Sequence, residues 1–166
     1  MSATNQVMQV AELPFSTLQQ LLERYGLALE LLEPDTTIPG SYWGESEAGM
    51  IGRTIYIRPD TPVHSFLHET CHVICMDEKR RQSLHTDAGG ETSEEDAVCY
   101  LQIVLAEQLS GFGKSRVLLD MDRWGYTFRL GSAQRWFEED ATDARLWLQS
   151  HHLLDMQQQP IFKLRT

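Results

Sequence analysis

His68-Glu69-Thr70-Cys71-His72, an H-E-x-x-H string, is the stretch on which the reading of this chain turns. On an α-helix, residues four apart share a face, so both imidazoles can reach one metal ion. Glu69 lies one step round, beside the position such an ion leaves open, where a carboxylate can take a proton from water. Two histidines and a carboxylate in this spacing point to zinc-assisted hydrolysis of an amide bond.

The motif needs a helix, and its surroundings predict one. Thr61-Pro62 supplies an N-cap residue followed by proline at the first helical position. Val63, Phe66, Leu67, Cys71, Val73, Ile74 and Cys75 form a broad apolar stripe, which predicts a largely buried helix. The charged run Asp77 to Arg81 marks its exit from the core. Upstream, Thr54-Ile55-Tyr56-Ile57 reads as a strand, and so does Leu27 to Leu32 between Gly26 and Pro34.

Outward from there, Phe15, Leu18, Leu21 and Leu22 predict a helix over 14–25, preceded by a mobile lead-in over residues 1–12. Tyr42 to Ile51, with Gly44 and Gly49, reads as a hairpin or irregular edge, and Ser83 to Glu91 as a polar loop. A second helix starts near Ser93, capped by Thr92 or Ser93, with Ala97, Leu101, Val104 and Leu105 as its apolar face. A short helix over 118–125 and an extended stretch over 126–130 come next. Ser132 then caps a long helix to about Ser150, with Trp136, Phe137, Ala144, Trp147 and Leu148 turned inward.

A chain of 166 residues suits one domain, 1–166. The formal charge of −10 argues against a nucleic-acid surface, which needs clustered Lys and Arg. Much of the acid falls in Glu91 to Asp96 and Glu138 to Asp143, expected to be solvated faces. Three cysteines make no disulfide framework, so buried free thiols are expected. No apolar run reaches a membrane span, and Met1 to Val10 does not read as a signal peptide. A cytoplasmic protein is expected.

Zinc sites of this kind take a third protein ligand. The metzincin pattern fails, because Cys75 and Glu78 stand where it needs glycine and histidine. His64 completes a run of three histidines at four-residue steps. It lies about 12 Å from His72 along the axis, too far for one ion. A helix-start or substrate-contact role suits it better. Glu94 shares the inward face of Ala97 and Leu101 and is the expected ligand, with Glu95 and His85 as alternatives. Tyr126, His151 and His152 are candidates for stabilising an oxyanion.

With Glu94-Glu95-Asp96-Ala97 following H-E-x-x-H, the chain resembles the gluzincin metallopeptidases. Their third ligand is the glutamate of an E-x-x-A-type motif on a following helix. Strand 54–57, the Arg58-Pro59-Asp60 turn and the motif helix are also similar to the core of ImmA/IrrE-type proteins, over roughly residues 15–108. Val98 departs from that group, which often has asparagine after the alanine. The resemblance implies an α+β zincin-like fold, a small, mostly antiparallel sheet packed on the H-E-x-x-H helix and the Glu94 helix. It also implies Zn2+ held by His68, His72 and Glu94, with Glu69 as general base. The substrate it implies is a cytosolic protein or peptide, such as a regulator, lying extended along the 54–57 side of the cleft. The other reading is a catalytically silent metal-binding domain acting as an interaction module.

Overall fold

The H-E-x-x-H segment forms a helix, Val63–Cys75, in which every residue but His68 is buried. The computed structural model describes residues 6–41, 45–85 and 89–166. Residues 1–5 of the expected lead-in, 42–44 of the expected hairpin and 86–88 of the expected loop lie outside the described residues. In chain order the elements are α1 (Phe15–Arg24), β1 (Ala28–Leu31), β2 (Gly49–Ile51), β3 (Thr54–Ile57), α2 (Val63–Cys75), α3 (Glu78–Gln82), α4 (Thr92–Ala106), α5 (Lys114–Trp124), α6 (Ala133–Glu139) and α7 (Thr142–Ser150). The class is α+β, as expected. No described helix is long and apolar enough to cross a membrane.

The sheet is mixed, not mostly antiparallel. β3 is central, parallel to β1 and antiparallel to β2. Hydrophobic alternation marks strands but carries no direction, and β1 enters the sheet straight from α1. With both its edges paired, β3 has no free edge to accept an added peptide, so the expected substrate track along 54–57 is closed. Gly49, expected in a hairpin or irregular edge, opens β2 and is closely covered. A side chain there would strike the Pro39 carbonyl, and the neighbouring Met50 N–H already donates to Gly40.

α2 begins one residue later than the cap signal predicts, with Pro62 at the N-cap position. Thr61 Oγ1 instead accepts from the Arg58 N–H at 2.9 Å and closes the β3–α2 turn. The lead-in is not loose over its described part. Val10–Glu12 is a 3-10 turn, the Val10 N–H donates to Thr61, and the Val63 N–H is met by the Met8 carbonyl. Residues 6–12 therefore cover the start of the motif helix.

The other end of α2 is held by Arg81, whose side chain is 1% exposed. Its guanidinium donates to the carbonyls of Val73 (2.9 Å), Met76 (2.5 Å) and Arg165 (2.8 Å), and it pairs with Glu78. A helix end leaves carbonyls without partners, and a cation there also meets the negative end of the helix dipole. The Arg165 N–H returns to the Ile74 carbonyl, so the C-terminal segment is stitched to the same turn.

α4 lies along α2 and also packs on α7 and α5. No side chain caps its start, where Glu91 is the N-cap residue and Thr92 and Ser93 are already helical. Ser132 does cap α6, accepting from the Arg135 N–H. The single long helix expected from there is two, broken at Asp140 and Ala141. Arg129 holds the Asp140 carboxylate at the break. Cys71 and Cys75 are buried free thiols, whereas Cys99 is partly exposed.

Replacing Arg81 by leucine should lower unfolding free energy by about 3 kcal/mol, since buried carbonyls and a carboxylate lose their partner. Replacing the exposed Lys79 by leucine should change it by less than about 0.5 kcal/mol. Urea denaturation of the two variants beside wild type measures the difference.

Candidate metal centre

α2 presents His68 and His72 from successive turns of one face, their rings edge-on with centroids 4.7 Å apart. The carboxylate that meets them is Glu95. His68 Nε2 lies 3.2 Å from Glu95 Oε1 and His72 Nε2 lies 3.3 Å from Oε2. One donor atom from each residue falls within 4.8 Å of the others. Around an ion with bonds of about 2.1 Å, neighbouring tetrahedral ligands sit about 3.4 Å apart. The donor set fits a single small cation without rearrangement of the backbone.

Glu94, the expected ligand, is turned elsewhere. Its carboxylate is nearly buried and is gripped by Arg80 through two hydrogen bonds, at 2.9 and 2.6 Å, and by Arg165 at 3.0 Å. It shares a face with Ala97 and Leu101, and both are fully buried. So is Val98, because α4 is covered on more than one side. Apolar spacing cannot say which of several buried faces meets α2. The row that does so is Glu95, Cys99 and Gln102. His85, the other alternative, bridges to Ile51 at the sheet edge and is not in the cluster. The acidic run 91–96 is therefore not one solvated face: one carboxylate is buried in an ion cluster and the next faces the histidines.

Gln102, not expected at this site from the sequence, is the polar residue that joins it. It is fully buried between Leu101 and Ile103. Its Nε2 donates to the His64 carbonyl at 2.8 Å, and its Oε1 lies 2.9 Å from His68 Nδ1. A backbone carbonyl can only accept, so the amide NH2 must face it and the amide oxygen must face His68. The proton of neutral His68 is then on Nδ1, which leaves the Nε2 lone pair directed at Glu95 and the metal position. A ligand histidine held by its other nitrogen in this way is the usual support of such sites. The signal was present: a glutamine inside an apolar run, seven residues after Glu95, shares its face.

Charge follows geometry. Burial disfavours the ionised Glu95 carboxyl, but hydrogen bonds from His68 and His72 outweigh it and hold the group well below the ordinary carboxylate range. Burial works against protonated His68, and the Tyr126, Cys99 and Glu95 side chains around it more than reverse this, so its pKa lies well above the usual value. Glu69 is raised by burial, against the pull of the two histidines.

The site opens on a cleft of about 490 Å³ whose walls include Glu69, Glu95, Glu47, His64, Trp124 and Tyr126. A second hollow of about 430 Å³ shares Glu95, Cys99 and Tyr126 with it and extends to Phe128 and Trp136. Of the three residues considered for an oxyanion, Tyr126 alone is brought here, its ring 5.7 Å from that of His68. His151 stacks on Trp147 at 4.0 Å, and neither it nor His152 lines the cleft.

Metal analysis by mass spectrometry should find about one zinc per chain in wild type and none in Glu95→Ala. Glu94→Ala should keep its zinc while losing stability. Gln102→Leu should weaken zinc binding about 10- to 100-fold. Comparison with protein-family models, with curated proteins and with solved structures finds no match.

Proposed function

We propose that the protein is a zinc-dependent metallopeptidase acting on a protein or peptide. The observation that carries this reading is the meeting of His68, His72 and Glu95 at ligand distances beside a buried glutamate in an open cleft. The zinc would be held by those three residues, and when bound it supplies a Lewis acid that polarises a carbonyl and acidifies water.

The rest of the work falls to the chain itself. Glu69 takes the proton from the attacking water and passes it to the leaving amine. Burial raises its pKa above the ordinary carboxylate value, which suits a group that must act as base and then as acid. Gln102 keeps His68 in the tautomer that leaves Nε2 free. The cleft and the adjoining hollow together offer an extended segment a path across Glu95 and Tyr126, between Trp124 on one side and Phe128 and Trp136 on the other. This path replaces the edge of β3 as the route for substrate. A cytoplasmic setting belongs to the same reading and agrees with three free thiols.

Glu69→Gln should keep zinc and lose about 10²- to 10⁴-fold in turnover of a peptide library read by mass spectrometry. Wild type with zinc but no cleavage in that screen would favour the metal-binding interaction module. Zinc affinity should also depend on pH. Because its pKa is raised, His68 still holds a second proton at a pH where an ordinary imidazole has lost it, and that proton competes with the metal. Acidification should therefore weaken zinc binding, by up to about tenfold per pH unit for one displaced proton, as measured by chelator competition across a pH series.

A further inference from the structure

His64, set aside as a metal ligand, lines the cleft and has a nitrogen with nothing to bond. Its Nε2 is buried and has no hydrogen-bond partner among the described residues. The other nitrogen, Nδ1, lies 3.2 Å from the Tyr126 hydroxyl. Gln102 Nε2, already oriented by the His64 carbonyl, donates to that hydroxyl at 3.4 Å. The hydroxyl accepts from Gln102, and among the described residues Nδ1 is the one acceptor within reach of its own proton. With that proton given to Nδ1, the imidazole proton is on Nε2. Burial first, and then the neighbouring His68 charge, lower the His64 pKa to about 3, so the ring is neutral.

Trp124 packs against this ring at 5.0 Å, but its indole N–H is given to Glu47 at 2.9 Å. Trp124 therefore packs on the ring without bonding to Nε2. An unmet donor of this kind has already lost its water on folding, so a ligand oxygen that reaches it gains a hydrogen bond with no further desolvation of the ring.

We propose that His64 is a neutral substrate-facing donor, its Nε2–H placed in the metal cleft to take an oxygen of the bound peptide at the reacting carbonyl. The proposal rests on the metallopeptidase reading. It assigns the oxyanion-stabilising role to His64 rather than to Tyr126, which acts one step back by fixing the tautomer. Electron density that builds on the carbonyl oxygen during attack would strengthen this hydrogen bond, which is how such a donor favours the transition state over the bound substrate.

Two readouts test it on the full chain. Imidazole nitrogen NMR should show His64 protonated on Nε2 and bare on Nδ1 from pH 6 to 8, and Tyr126→Phe should change that tautomer balance. A His64 proton on Nδ1 in wild type would overturn the proposal. In the second, the protein is loaded with cobalt and titrated with acetohydroxamate, whose oxygens mimic a carbonyl under attack. His64→Phe should keep the cobalt spectrum and bind the hydroxamate about 10- to 100-fold more weakly, with His64→Gln recovering part of the loss. Equal affinity in wild type and His64→Phe, with cobalt spectra intact, overturns the role of His64 alone. Absence of a cobalt spectrum in wild type overturns the metal reading, and the role of His64 with it. Should His64→Phe not fold, Tyr126→Phe carries the same titration and should weaken the hydroxamate in step with its tautomer shift.

Discussion

A single buried amide ties the candidate metal centre together. Gln102 stands on α4 with its NH2 committed to a backbone carbonyl of α2, and that commitment decides everything its oxygen and its neighbours can do. The oxygen fixes His68, and the second N–H reaches Tyr126, which in turn faces His64. Three cleft residues, His68, Tyr126 and His64, are thus linked through one helix–helix contact. Such a network is demanding, because a half-satisfied member in a dry interior would cost more than an apolar pair in its place.

A second polar cluster does for the backbone what Gln102 does for the side chains. Glu94, Arg80 and Arg165 gather the start of α4, the short helix α3 and the C-terminal segment at one point, and Arg81 closes the end of α2 beside them. The two clusters begin one residue apart, at Glu94 and Glu95. One carboxylate fixes where the first turn of α4 sits, and the next is thereby presented to the histidines. Neighbouring residues on a helix point about 100° apart, so the division of labour follows from helical geometry.

This division also explains what could be read from the letters alone. His68, Glu69 and His72 are legible because their spacing is local to one helix, and the strands at 28–31 and 54–57 are legible from residue type and flanking breakers. The choice between Glu94 and Glu95 is not. It depends on which of several covered faces of α4 meets α2, and on an arginine 71 positions away that neutralises Glu94. Strand direction escapes the sequence for a similar reason, since the pattern of a strand is the same read up or down. Gln102 was legible in principle, as a polar residue amid apolar neighbours on the face of Glu95, but its partner on α2 was not.

The His68–Glu95–His72 contact has a meaning beyond its distances. Two imidazole nitrogens and one carboxylate share the space by hydrogen bonding, so on the proposed reading a cation would take a place that protons otherwise fill. Loading would then exchange one positive charge carrier for another, with protons released as the cation binds.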